Sequence, residues 1–170
     1  MKKLLIPIVF ALSLAASLVT AQTTHATPLS EDQVGLISMT CGSIQLQLKN
    51  LQKTDSRIRV FLGSKYEFIL TNLITNLNLR LIRHNLASSP LTASQATFSS
   101  ERDFFKAAFT DYAKSLDTLI ATDCTGKPQL FYDRLEVTRE KRETVRQSYL
   151  RLKDVLVEHR AIVTSLKDTL

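Results

Sequence analysis

Glycine and proline are scarce, with four of each in 170 residues. Their positions matter more than their number. Pro7, Pro28 and Gly35 precede the first long periodic segment, and Gly42 stands at its start. Pro90, and then Gly126 with Pro128, separate the later segments. Only Gly63 interrupts a periodic run. Breakers confined to boundaries exclude frequent turns and leave long uninterrupted helices. Motifs of known chemistry are also missing. There is no glycine-rich phosphate loop, no Gly-x-Ser-x-Gly elbow and no cysteine, histidine and aspartate cluster at ligand spacing. His84 and His159 fall on different helices, at estimated heights of ~62 and ~47 Å, which makes them a poor metal pair. These absences leave no candidate catalytic residue, no metal and no cofactor. Past Val19 no stretch is apolar enough to span a bilayer, and no internal repeat or low-complexity tract occurs.

What is present begins with an export signature. Lys2 and Lys3 form a positive segment, Leu4 to Val19 an apolar one, and small-residue cleavage patterns end at Ala21 and Ala26. That order is a secretory signal peptide over residues 1–26. The apolar run of about 16 residues is short of the ~20 that span a bilayer, so cleavage is favoured over a retained anchor. The chain is expected to be secreted, periplasmic or held at the cell surface. Residues 27–40 read as a flexible leader and 41–170 as one helical domain.

The formal net charge of +6 falls to +4 when Lys2 and Lys3 leave. That excess is too small for a dedicated nucleic-acid binder. Its distribution is uneven. From Cys41 to Ala87, seven basic residues face only Asp55 and Glu67. Lys49, Lys53, Arg57 and Arg59 are the candidate contacts for an anionic surface; the alternative is an ordinary solvated face.

Three periodic segments follow. The first, over roughly 43–87, has apolar residues at steps of three and four, including Ile44, Leu48, Ile58, Leu62, Tyr66, Ile69, Leu73 and Leu77. That is a heptad-like seam. The second, over roughly 92–121, places Phe98, Phe105, Phe109, Tyr112, Leu116 and Leu119 on one face. Thr92 with Gln95 fits a capping box at its start. The third begins with Pro128 in its first turn and runs towards the C-terminus. Short connections between three such helices predict an all-α, elongated, antiparallel up-down-up bundle with coiled-coil-like packing. The first helix, at ~67 Å, would overrun the second, at ~45 Å, unless it bends near Gly63 or the connection runs extended.

The same topology brings Cys41 and Cys124 to the base of the bundle. Export makes a disulfide between them plausible, and neither belongs to a CxxC redox motif. The alternative is two free thiols. Asp55 and Arg142 each interrupt an apolar seam at an estimated ~21 Å above the base. The two are expected to meet as a buried ion pair, because a lone charge in an apolar seam is costly. Arg139 is an alternative partner, one turn lower, and Asp55 reaching water at a seam edge is the other alternative.

Two runs support a resemblance. They are Cys41-Gly42-Ser43-Ile44 with Leu51-Gln52, Asp55, Arg59, Gly63 and Tyr66, and Asp123-Cys124 with Pro128, Phe131-Tyr132, Leu135, Arg139 and Arg142. In these the chain resembles small secreted helical proteins of ultrasmall, host-dependent candidate-phylum bacteria. The resemblance supplies no activity and implies only a surface or secreted setting. Two functions remain. One is a non-catalytic binding or structural module of the envelope, with a protein or envelope polymer as partner. The other is a periplasmic chaperone-like or envelope-stress protein. An exposed apolar groove would favour the second, and a closed core with patterned charge the first.

Overall fold

A computed structural model describes residues 28–86 and 88–169. The expected signal peptide lies outside the described residues. Helix α1 covers Glu31–Phe68 and passes through a π-helical stretch, Ile69–Thr75, into α2, Asn76–Arg83. These form one continuous rod. Helix α3 covers Ser89–Ile120 and α4 covers Pro128–Thr169. Cross-contacts fix the directions. Cys41 meets Cys124 and Asn78 meets Gln95, so the rod and α3 are antiparallel. Ser115 meets Thr138 and Ser94 meets His159, so α3 and α4 are antiparallel as well. The architecture is the all-α up-down-up bundle.

Several boundaries differ from the sequence expectation, each for a local reason. Residues 31–40 are helix, not leader. Ser30 caps α1 by accepting from the Gln33 amide, while the Gln33 side chain accepts from the Ser30 amide. This reciprocal box satisfies two amides that a helix start would otherwise leave unpaired. Cys41 therefore lies inside α1, not before it. Its first three turns run past the α3–α4 turn, where Leu29 donates to Gln129 and Ser38 to the Thr125 carbonyl. That overrun adds to the rod's length; the mismatch is narrowed because the rod ends at Arg83 and α3 starts at Ser89, while Gly63 lies in unbroken α-helix. The rod ends at Arg83 because Asn85 takes φ 56°. Leu86 then donates to the Leu81 carbonyl and Asn85 to that of Ile82, a Schellman closure. α3 starts at Ser89, ahead of Thr92, with Pro90 in its first turn.

The π-helical stretch also moves the seam. Tyr66, Leu70, Ile74 and Asn78 are buried, whereas Leu73, expected in the core, is exposed. Three consecutive steps of four residues would drift around a regular α-helix. The wider i→i+5 turn of a π-helix corrects the drift and keeps one face inward. Asn78 is a buried polar member of that face. It donates to the Leu91 carbonyl and to Gln95, which in turn donates to Thr75.

Side-chain size sets the spacing between rods. Ser94, Ala108 and Ser115 recur at multiples of seven along α3 and are buried or half-buried. Thr138 and Ser148 are buried on α4. Small residues let these two helices approach closely along their length. The rod instead rests on an aromatic ridge. Tyr66 meets Phe98 and Phe105 edge-to-face at 6.1 and 5.6 Å, and Phe105, Phe109 and Tyr112 continue the ladder at 5.7 and 5.9 Å. Such edge-to-face pairs add ~0.5–1.5 kcal/mol each beyond the area they bury. Bulk beneath the rod holds it away from the α3–α4 pair, and open grooves follow on both its sides.

The base is latched by the Cys41–Cys124 disulfide, with Cα atoms 5.6 Å apart and a sequence separation of 83. Beside it, the Asp123 carboxylate accepts from the Thr125 and Gly126 amides. A Cβ on Gly126 would collide with that carboxylate, which explains glycine there. Closing so long a loop stabilises by ~4 kcal/mol in the chain-entropy model. Reduction is expected to lower Tm by about 10 °C while leaving far-UV helicity largely intact, because the helical seams remain. Loss of helicity in step with the thiols would show that the staple, not the seams, holds the fold.

Candidate functional site

Asp55 is the one acidic residue buried in the rod's inward face. Its Oδ2 accepts from the Tyr112 hydroxyl at 2.6 Å. Arg142 Nε lies 3.5 Å from the same oxygen. The two charges expected to meet do approach each other, but not as an enclosed pair. The Asp55 side chain is 10% exposed and that of Arg142 54%. The reason is the standoff of the rod, which opens the α4 position opposite Asp55 to solvent. Asp55 therefore relies on a phenol inside and a guanidinium at the rim. The alternative partner, Arg139, binds Glu136 on its own helix. A more enclosed cross-helix charge went unread in the sequence. The Arg102 side chain, 13% exposed, binds Glu67 at 2.9 Å and Asp103 at 2.9 Å. Its position in the seam gap of α3 was the available signal.

Around Asp55 a groove of about 620 Å³ opens between α1 and α4. Its walls are Ile58 and Leu62 of α1, Phe105 and Phe109 of α3, and Val145 of α4. Asp55 and Tyr112 form the polar floor, and Arg139, Arg142 and Arg146 line the mouth. Residues three and four apart share a helix face, so these arginines form one row. Arg146 binds Glu143 through two bonds of 2.8 Å. With Gln147, it holds the Glu143 carboxyl down at about 2.

Lys49, Lys53, Arg57 and Arg59 are all exposed, and none pairs with a carboxylate among the described residues. Lys53, Arg57 and Arg59 line a second groove, between α1 and α3. Apolar side chains of α1 are also exposed, including Met39, Leu46, Val60, Phe61 and Phe68. Met39, Leu46 and Val60 sit at multiples of seven, a stripe distinct from the buried seam. Lys65 lies over the Phe61 ring at 6.0 Å.

Ser94 Oγ and His159 Nδ1 are 3.0 Å apart, but both residues are buried, and burial pushes the histidine below its ordinary value. The pair is a polar contact within the α3–α4 interface, and no described carboxylate hydrogen-bonds the ring. Among the described residues no three histidine, cysteine or acidic side chains converge as a metal site. No described helix is long and apolar enough to cross a membrane. Comparison with protein-family models, with curated proteins and with solved structures returns no match.

Replacing Asp55 by Ala strands the buried Tyr112 hydroxyl and is expected to cost ~1–3 kcal/mol. Arg142→Ala is expected to cost under ~1 kcal/mol, as exposed pairs do. Urea unfolding of both variants checks this order, and equal costs would mean that the pair is enclosed after all. Burial, then the bond to Asp55 and its charge, hold the Tyr112 phenol above its ordinary value. Burial, with Tyr149 nearby, pushes Tyr66 up to about 12. A raised folded value means that the native state keeps protons which the unfolded chain releases near pH ~10. Stability should be intact below pH ~10 and fall as pH climbs towards 12. Tyr66→Phe should flatten that fall in denaturant midpoints, and an unchanged slope would refute the assignment.

Proposed function

We propose that the protein is an extracytoplasmic, non-catalytic helical binding module, and that its working surface is the outer face of α1, which engages an anionic envelope surface. One observation carries this reading. Met39, Leu46, Val60, Phe61 and Phe68 stay exposed, interleaved with Lys49, Lys53, Arg57 and Arg59, cations that pair with no carboxylate among the described residues. Exposed apolar patches on a folded domain mark contact surfaces. Cations beside apolar groups suit a partner that carries negative charge at an apolar boundary. A second copy of the same face would be repelled by its own cations. The N-terminal export pattern and the disulfide support an oxidising compartment.

The chaperone-like reading also has support, since the groove between α1 and α4 is open and apolar. Its polar floor at Asp55 and Tyr112 and the arginines at its mouth suit a single amphipathic ligand better than an unfolded chain.

Changing Lys49, Lys53, Arg57 and Arg59 together to Glu is expected to abolish retention on anionic vesicles and anionic polymers. Retention by the native protein should weaken as salt shortens the Debye length. The triple change Val60→Ser, Phe61→Ser and Phe68→Ser should weaken vesicle binding without altering helicity, because all three are exposed. Unchanged retention in the charge-reversed variant would sink the proposal. Suppressed aggregation of a denatured test protein, lost on the triple change, would favour the chaperone reading instead.

A further inference from the structure

The α1–α4 groove is separate from the outer face of α1 and has a chemistry of its own. Apolar side chains of all three rods line it, and its volume of about 620 Å³ falls in the ~300–1,000 Å³ range of ligand pockets. A cationic ligand is opposed by three arginines at the mouth. A neutral apolar ligand would leave Arg142 unused. Two of the arginines are already engaged. Arg139 binds Glu136, and Arg146 binds Glu143 through a two-bond fork. Arg142 is different. Its only described partner is an oxygen 3.5 Å away that already accepts from Tyr112 at 2.6 Å. The other donors of its guanidinium make no hydrogen bond to a described residue, and they stand at the edge of an apolar cleft.

We propose that this groove binds a medium-chain fatty carboxylate, with the alkyl chain against Ile58, Leu62, Phe105, Phe109 and Val145 and the head group on Arg142. Charge and length support that occupant. The lining side chains Asp55, Glu143, Arg139, Arg142 and Arg146 sum to one positive charge, which matches a monoanion better than a phosphate dianion. A guanidinium edge also fits a planar carboxylate through two parallel bonds. From Arg142 the groove follows α4 to Tyr149, ~10 Å at 1.5 Å per residue, and it is open to solvent. Most of a dodecanoate chain lies within that reach, and its last carbons extend from the cleft.

The test is calorimetric titration of the purified protein with dodecanoate below its micelle concentration. Dodecylammonium, dodecyl maltoside and dodecyl phosphate serve as chain-matched controls, and acetate as the head group alone. Saturable one-to-one binding of dodecanoate is expected, at least tenfold tighter than every control. Arg142→Glu alters an exposed side chain and should retain the fold while weakening dodecanoate at least tenfold. Ile58→Trp, at a half-open position on the groove wall, should fill the cleft and weaken it similarly. Non-saturable uptake, equal binding of dodecylammonium, or unchanged affinity in either folded variant would overturn the proposal. Tighter binding of dodecyl phosphate would overturn the carboxylate assignment.

Discussion

The close approach of α3 and α4 is possible because small side chains recur where the two helices face each other. Ser115 bonds Thr138 at 2.8 Å and Ser94 bonds His159 at 3.0 Å across that interface. The large residues of α3, Phe98, Phe105, Phe109 and Tyr112, are displaced to the remaining inward face. The rod must sit on top of them. Its core contacts are therefore made through rings at 5.6 to 6.1 Å rather than through backbones in close approach. Both grooves, the exposure of Ile58 and the surface position of Arg142 follow from this division of small and large residues between two faces of one helix.

That division also explains how a charge comes to stand in the core. Asp55 faces the aromatic ridge where it gives way to a phenol. The Tyr112 hydroxyl supplies the hydrogen bond that a buried carboxylate requires, and Arg142 adds partial charge balance from the rim. A polar group satisfied in this way fixes the register of the rod on α3 without a fully enclosed ion pair, whose desolvation cost often cancels its attraction. The disulfide at the base and the Asn78, Gln95 and Thr75 bonds at the far end act on the same register. The rod is thus fixed to its neighbours at the base, the middle and the top, and left open between these points. The open stretches hold the grooves on either side of the rod.

The fold was legible in the sequence where periodicity is local. The aromatic face of α3 falls at the spacing the pattern gives, and Phe98, Phe105, Phe109, Tyr112, Leu116 and Leu119 are all buried. The start of α4 at Pro128 was equally legible, because proline there removes only an amide that has no helical partner. Other features were written in the sequence but outweighed by louder ones. The Ser30 and Gln33 capping box lies beside Pro28 and Gly35, which read as leader. Asn85 is an ordinary polar residue until its backbone turns left-handed.

The sequence by itself determined the class of the protein: three amphipathic rods, their order, and two cysteines at one end. Those follow from the spacing of apolar residues and from chain connectivity, which are local properties. Only the tertiary structure decided which pair of rods packs closely. That choice depends on the sizes of side chains facing each other across helices distant in sequence. It decided that Leu70 and Ile74, not Leu73, complete the core, because the π-helical turn rotates the face by an amount that no α-helical count includes. It also decided that Asp55 is held by Tyr112 from within and Arg142 from the edge. Spacing along the chain gives height along the bundle, whereas enclosure depends on the distance between rods.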